Sequence, residues 1–481
     1  MHRRHFFLSL AAPVLAGRAQ RAVEPVVIVG AGLAGLRAAA ILRNAGRKVV
    51  VLEARPSPGG RVRTIRAPFD GGLHAEAGPI RIPGAHQRVL QLAREHRLGL
   101  LPFGSGVGSP LVHVTGVRAK SPQELSKVSA ALKLPANEAG LGAGALIQKY
   151  AADALSTLAG TVETNEIPAG WHAYDGMTWP EWLRSRGASA GAVTLMTLGG
   201  DSRQLSALYV LRQIALLRGS DQFFKIEGGM DRLPRAMAAS LSGDVRYNAR
   251  LVRIDRSTSG RSTSGRSTSG PSTSGLAVQY RDQNRTVSIH AARVILTIPF
   301  STMSSVVIQP PLAVRKARAI AELPYFGSTR FLLQTRTRFW EDEGLSGAAR
   351  TDDPAEFWDA AYDLPQDAGI LAATIGGTLS EGLHGLPQSE AVGAGVTLAA
   401  RTFPGIRGTF QHGIVMRWAL EPTARGAFAV FHPGQTIALM PDLATPEGSI
   451  HFAGEHTSPW NGWMEGALES GERAAREVLQ S

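Results

Sequence analysis

Residues 26–61, VVIVGAGLAGLRAAAILRNAGRKVVVLEARPSPGGR, narrow the choice of fold more than any other stretch of the chain. The apolar run 26–29 ends in Gly30, Gly32 and Gly35 at the spacing G-x-G-x-x-G, with Leu33 and Ala34 between the last two glycines. It then passes into an Ala- and Leu-rich pattern over residues 36–43: strand, tight turn, helix. A second apolar run, 49–52, ends in an acid, Glu53, at about the twenty-residue distance expected where a carboxylate meets a ribose hydroxyl. Only glycine lets such a turn close and lets the backbone approach a pyrophosphate, whose charge rests on amide donors at the helix N-terminus. Three glycines alone could merely turn the chain. Together with the two strands, the helix, the acid and the trailing Gly59-Gly60-Arg61, they imply a bound dinucleotide.

The GGR turn so soon after Glu53 resembles the flavin amine oxidase family, which includes monoamine, polyamine and L-amino acid oxidases. The resemblance implies FAD rather than NAD, with Glu53 on the adenosine ribose and Arg61 beside the pyrophosphate. Cofactor contacts are expected at Gly30, Gly32, Leu33, Ala34, Gly35, Glu53, Ala54, Arg55, Gly60 and Arg61. The implied fold is α/β, a two-domain FAD-dependent amine oxidase fold with a Rossmann-like FAD domain and a mixed α+β substrate domain.

At 481 residues, with 44% hydrophobic and 19% charged content, the chain is long enough for more than one core. Its 51 Lys and Arg against 39 Asp and Glu give +12, but the basic residues are scattered rather than gathered on one stripe, which argues against nucleic-acid binding. There is no cysteine, hence no disulfide, no thiolate metal site and no flavin tethered through sulfur. The expected FAD is non-covalent, and no metal is expected.

Residues 1–22 carry basic residues, a largely apolar stretch from Phe6 to Ala16 and small residues suited to cleavage. Arg3-Arg4 ahead of His5-Phe6-Phe7 resembles a twin-arginine leader, read by the bacterial exporter of folded proteins. An exported protein, periplasmic or secreted, is expected. No later stretch has the roughly eighteen uninterrupted apolar residues that a membrane span needs.

Residues 69–103 contain turns and an amphipathic helix pattern over 89–97. Gly78, Pro79, Ile80 and Arg81, followed by Ile82-Pro83, resemble the L-amino acid oxidase branch, in which this stretch passes the flavin ring and the arginine clamps the substrate carboxylate. A guanidinium suits that task because its planar fork offers two parallel charged hydrogen bonds. It would equally serve to support the flavin or a buried acid. Helical patterns at 145–158 and 205–217 suggest a mostly helical substrate-side insertion, whose Trp and Tyr residues are expected in its core. Where one subgroup of L-amino acid oxidases has a histidine discussed as a base, this chain has Gln213, so no general base is assigned there.

Gly228-Gly229-Met230 is expected to start a helix ending near Leu241, followed by a strand over 248–254 whose Leu251 contacts the adenine in relatives. Residues 256–275, RSTSGRSTSGRSTSGPSTSG, repeat a five-residue unit that matches no solenoid and buries nothing, so they read as a flexible loop between two strands. Residues 292–300 read as a buried strand. The family's lysine that holds a water against the flavin's reactive nitrogen aligns with Arg330, which stays charged where a desolvated lysine would not. Its tyrosine sharing the substrate carboxylate aligns near Asp359 or Ala360, with Tyr362 close by. Phe428 takes the position of one aromatic cage wall.

The C-terminal HFAGEHTSPWNGWMEGALESGERAAREVL reads as strand, turn and helix. By resemblance, Glu455 binds the ribityl or phosphate region. Gly462, Trp463, Met464 and Ala467 meet the flavin, with Gly462 and Trp463 also facing substrate and Trp463 opposing Phe428. The expected organisation is a discontinuous FAD domain (23–83, 225–310, 441–481) and a substrate domain (84–224, 311–440). The expected reaction is oxidation of the amine-bearing carbon of an L-amino acid, with Arg330, Phe428 and Trp463 in catalytic roles and oxygen reduced to hydrogen peroxide. A monoamine or polyamine oxidase or dehydrogenase, with Arg81 only supporting FAD, and a catalytically silent flavoprotein remain alternatives. A desaturase is open too, since fold does not fix chemistry. The partners implied are a small amine or amino acid and oxygen, and a homodimer is left open.

Overall fold

A computed structural model describes residues 24–104, 106–158, 162–200, 202–256, 275–353 and 355–481. The leader and nearly all of the Ser-Thr-Gly repeat lie outside these residues. The strand Val26–Val29 is buried along its whole length and pairs in parallel with Val49–Leu52 on one side and Arg293–Leu296 on the other. Val245–Arg246 and Ile450–Phe452 close the two edges of a five-stranded parallel sheet. Three stretches far apart in sequence therefore share one sheet, and its two strands Val26–Val29 and Val49–Leu52, buried along their whole length, are continuous Val, Ile and Leu runs.

The helix Leu33–Asn44 packs against this sheet and against the C-terminal helix Met464–Gln480. The approach is close. A Cβ on Gly35 would lie 1.9 Å from the Gly30 carbonyl oxygen, and one on Gly471 would lie 2.3 Å from that of Ala34. Gly30 itself sits at φ +110°, a conformation that L side chains rarely adopt.

The strand Ala249–Arg256 runs antiparallel to Leu276–Asp282, with Arg256 opposite Leu276, so the repeat joins the two arms of a hairpin. A seven-stranded sheet, in the order Phe410–Arg417, Thr329–Thr335, Gly369–Ile375, Ala355–Asp359, Leu345–Thr351, Ser109–Val114 and Val117–Ala119, forms the floor of the second half. Helices Ala143–Leu158, Trp179–Ser185, Ala190–Met196 and Ala207–Leu216 build a separate core in which Trp171, Trp179 and Trp182 are buried. The helical reading of this insertion and the core placement of its tryptophans are met. Tyr209 departs from it: although buried, it lines the main cleft. Among the described residues no helix is long and apolar enough to cross a membrane.

Candidate active site

One elongated cleft of about 630 Å³ runs between the parallel sheet and the seven-stranded sheet. Gly30, Gly32, Leu33, Ala34, Glu53, Ala54, Arg55, Gly60, Arg61 and Leu251 line it. So do Gly78, Pro79, Ile80, Arg81, Arg330, Phe428, Glu455, Gly462, Trp463, Met464 and Ala467. Gly35 is the exception among the expected cofactor contacts: it does not line the cleft, and its missing side chain instead admits the Gly30 carbonyl.

The walls fit a dinucleotide on geometric grounds. Two helices, beginning at Leu33 and at Met464, open on the same space and carry first-turn amides that no helix carbonyl can satisfy. A Cβ on Gly32 would meet nothing within 4 Å, so the missing side chain leaves open space where a phosphate can approach the backbone. Glu53 accepts hydrogen bonds from the amides of Ala31 at 2.8 Å and Arg55 at 2.9 Å, while its burial raises the carboxyl above its ordinary range. These two bonds leave acceptor capacity on the carboxylate for a ribose hydroxyl.

Glu455 fastens the Gly59-Gly60-Arg61 turn to the turn at Gly462. Its carboxylate accepts from the Arg61 guanidinium at 2.6 Å and from the Gly462 amide at 2.6 Å, with the Ala429 amide at 3.3 Å. Arg61 donates as well to the Ala427 carbonyl at 3.1 Å. Residues more than 390 positions apart in sequence are thus locked around one point of the cleft.

Trp463 is fixed in orientation. Its indole N–H donates to Gln213 Oε1 at 2.7 Å, Gln213 Nε2 donates to Asn461 Oδ1 at 2.9 Å, and Asn461 Nδ2 donates to the Ala429 carbonyl at 3.0 Å. His86, buried and with neither ring nitrogen hydrogen-bonded among the described residues, stands edge-on to Trp463 with ring centroids 4.9 Å apart. Burial pushes its pKa down to about 3, so it packs as a neutral ring. Phe428 stacks on Phe326 at 5.2 Å, and a Cβ on Gly462 would come within 3.3 Å of the Phe428 ring.

Arg330 donates to Thr374 Oγ1 at 3.1 Å, to the Glu76 carbonyl at 3.1 Å and to the Gly78 carbonyl, and it lies 5.0 Å over the Trp358 ring. It therefore braces the turn that leads into Pro79, Ile80 and Arg81. Burial lowers its pKa to about 10, so the guanidinium remains charged at neutral pH.

Beside Arg81 the expected residues are replaced by another. Asp359 is buried against the Arg338 guanidinium at 3.0 Å, Ala360 faces a small cavity apart from the cleft, and Tyr362 donates to the Pro102 carbonyl at 2.8 Å. None of the three lines the main cleft; Glu356 does, with one carboxylate oxygen 3.5 Å from Arg81. The physical reason is strand alternation. Phe357 belongs to the core cluster on one face with Phe331, Trp340 and Phe403, so Asp359, two residues on, shares that face and Glu356 takes the other.

Residues 33–479 match the family described as flavin containing amine oxidoreductase. The chain belongs to that family. Among its relatives, YobN of Bacillus subtilis (strain 168), provisionally named an L-amino-acid oxidase, is 30% identical over 94% of each chain. The L-amino-acid oxidase of Vipera ammodytes ammodytes is 30% identical over 94% of this chain and 92% of its own. A solved putrescine oxidase bound to putrescine superposes with a TM-score of 0.78 at 23% identity, covering 96% of this chain and all of that one, and shows the same fold. The protein is thus a flavin-dependent oxidoreductase acting on amines, with the two-domain α/β architecture expected from its motifs.

Proposed function

We propose that the protein is an FAD-dependent L-amino acid oxidase, carried above all by the Arg81 guanidinium in the cleft. Arg81 lies on the same cleft as Gly462 and Trp463 and is only half-buried, so its fork is accessible to a carboxylate. The names of the 30% identical relatives support the same substrate class. The cofactor would be held without a covalent bond; the chain has no cysteine that could tether it through sulfur. Glu53 would take the ribose, the Gly30–Ala34 turn and Arg61 the pyrophosphate, Leu251 the adenine, and the first turn of the C-terminal helix the flavin ring. A bound FAD supplies the two-electron acceptor and the route by which oxygen is reduced to hydrogen peroxide.

The chain's own residues have simpler tasks. Arg81 anchors the carboxylate and thereby orients the amine-bearing carbon. Phe428 and Trp463 wall the reacting end and exclude water. Arg330 keeps the Gly78–Arg81 turn in place and contributes a fixed positive charge, the role left to it in oxygen reactivity. Residues 23–83, 225–310 and 441–481 would form the FAD domain, and the remainder of the mature chain the substrate domain. The three-part parallel sheet supports that division. Export through the twin-arginine leader belongs to the same reading.

Peroxide release from parallel panels of L-amino acids and of the corresponding amines tests this. Arg81→Ala and Arg81→Lys should lower kcat/KM for amino acids by about 100-fold or more, the scale of losing a bidentate charged contact, while amines change little. Equal loss on both panels would show that Arg81 only supports the cofactor, and the monoamine reading would replace this one.

A further inference from the structure

Glu356 stands on a row of side chains crossing the sheet that floors the cleft. Arg330 pairs in register with Thr374, Thr374 with Glu356, and Glu356 with Arg350. Adjacent strands lie about 4.8 Å apart, so Glu356 is roughly 10 Å along the floor from Arg330. Three acidic residues line the cleft, and two are already engaged: Glu53 by backbone amides, Glu455 by Arg61 and two further amides. Glu356 differs. Its two contacts, Arg81 at 3.5 Å and Arg350 at 3.8 Å, both fall on Oε1. Among the described residues Oε2 accepts no hydrogen bond, and neither separation reaches the roughly 2.8 Å of a good charge-assisted bond.

Consider what happens to this carboxylate when Arg81 turns to a substrate carboxylate, the step on which the proposed function rests. Glu356 loses its nearer partner and keeps the weak contact to Arg350, a side chain more than half exposed to solvent, and the longer-range attraction of Arg330 across Thr374. A second carboxylate beside the first, inside a partly desolvated cleft, opposes binding. A substrate carrying its own cation removes that opposition by pairing with Oε2. We infer that Glu356 is a specificity-determining residue that receives a second cationic group of the substrate, so that the preferred substrates are L-amino acids with a basic side chain. The substrate's two charged ends exchange partners with the resident ion pair, carboxylate to Arg81 and distal cation to Glu356.

Four compounds of matched length separate this inference from the Arg81 reading: L-lysine, L-norleucine, 1,5-diaminopentane and pentylamine. Each is mixed anaerobically with the flavin-loaded protein, and the limiting rate of flavin bleaching and the apparent Kd are read from its concentration dependence. The distal ammonium should improve rate over Kd by about tenfold or more, mostly through Kd, within both the carboxylated and the decarboxylated pair. Glu356→Gln, nearly isosteric at a half-buried position, should reduce that advantage to under about threefold, and Glu356→Asp should retain part of it. Flavin absorbance and Tm report that each variant is folded and loaded. The inference is overturned if the distal ammonium confers no advantage in the natural protein, or if Glu356→Gln keeps it. The Arg81 reading fails by a different comparison, when pentylamine outperforms norleucine and diaminopentane outperforms lysine. In that event the diaminopentane-to-pentylamine ratio still decides the role of Glu356.

Discussion

Trp463 owes its orientation to an amide that the resemblance alone left without a task. Gln213 accepts from the indole and donates to Asn461, and because Asn461 spends its own N–H on the Ala429 carbonyl, the direction of every bond in the chain is determined. Gln213→Leu would strand a largely enclosed indole N–H, a cost of about 1–2 kcal/mol. Expressed at the transition state, this lowers the limiting rate of anaerobic flavin reduction by roughly 5- to 30-fold. Flavin content should be unchanged, since Gln213 touches Trp463 and Asn461 rather than the glycine turns. Gln213→His would restore a donor and acceptor only in its neutral form, so its rate relative to the natural protein at the same pH should recover above about pH 6.5 and fall below it. A flat relative profile for the His variant would remove Gln213 from the positioning of Trp463.

At the scale of elements, two buried carboxylates join segments that the sequence keeps far apart. Glu465, in the first turn of the C-terminal helix, accepts from the amides of Arg88 and Val89 at 3.1 Å each and from the Arg88 guanidinium at 3.0 Å. It thereby caps the helix Gln87–Glu95, whose own N-cap residue, His86, makes no side-chain cap bond among the described residues. Glu465→Ala leaves two amides unpaired and should cost about 2–4 kcal/mol, read as a lowered midpoint in urea unfolding. Glu76 behaves differently. It pairs across a short hairpin with Thr64, whose hydroxyl donates to it, and accepts from the Met230 amide at 2.9 Å. Burial dominates and lifts its pKa to about 7, Asp231 raising it further while Lys225 and the hydrogen bonds lower it. Because the folded value lies above the unfolded one, the fold binds the proton more tightly. That contribution is fully present below about pH 4.5 and is lost as the pH rises through about 7. Glu76→Gln keeps an acceptor for Met230 and removes the titration, so it should raise Tm at pH 8 relative to the natural protein while leaving it nearly unchanged at pH 5. The difference corresponds to at most about 3 kcal/mol. Thermal melts at the two pH values check this, and equal shifts at both would contradict it.

Across the whole molecule, the parts legible in sequence are those whose geometry is written into local spacing. The glycine turns, the acid ending the second strand and the C-terminal helix all emerge within a few residues of the expected places, because strand, turn and helix follow from neighbours along the chain. The row from Arg330 to Arg350 was not legible in that way. It depends on the register between four strands and on which face each presents, and a displacement of three residues separates Glu356 in the cleft from Asp359 buried behind the sheet. The place of the repeat between two strands was legible from its flanks, while residues 257–274 themselves lie outside the described residues. Its position follows from the hairpin that flanks it. Ala249, Arg250 and Leu251 at one end line the cleft, whereas the paired Arg256 and Leu276 at the other lie five residues further along, about 17 Å away. Replacing residues 257–274 by a single asparagine leaves Asn-Gly275 between that pair, a two-residue loop whose twist suits a hairpin. Closing a loop of two residues rather than nineteen involves about three fewer doublings of length, a gain of roughly 2 kcal/mol in chain entropy. The shortened protein should therefore melt at the same temperature or a few degrees higher, and its kcat/KM should stay within about twofold, since the cleft end of the hairpin keeps its register. A loss of flavin or of activity on shortening would show instead that the repeat reaches the cleft or braces the hairpin against it.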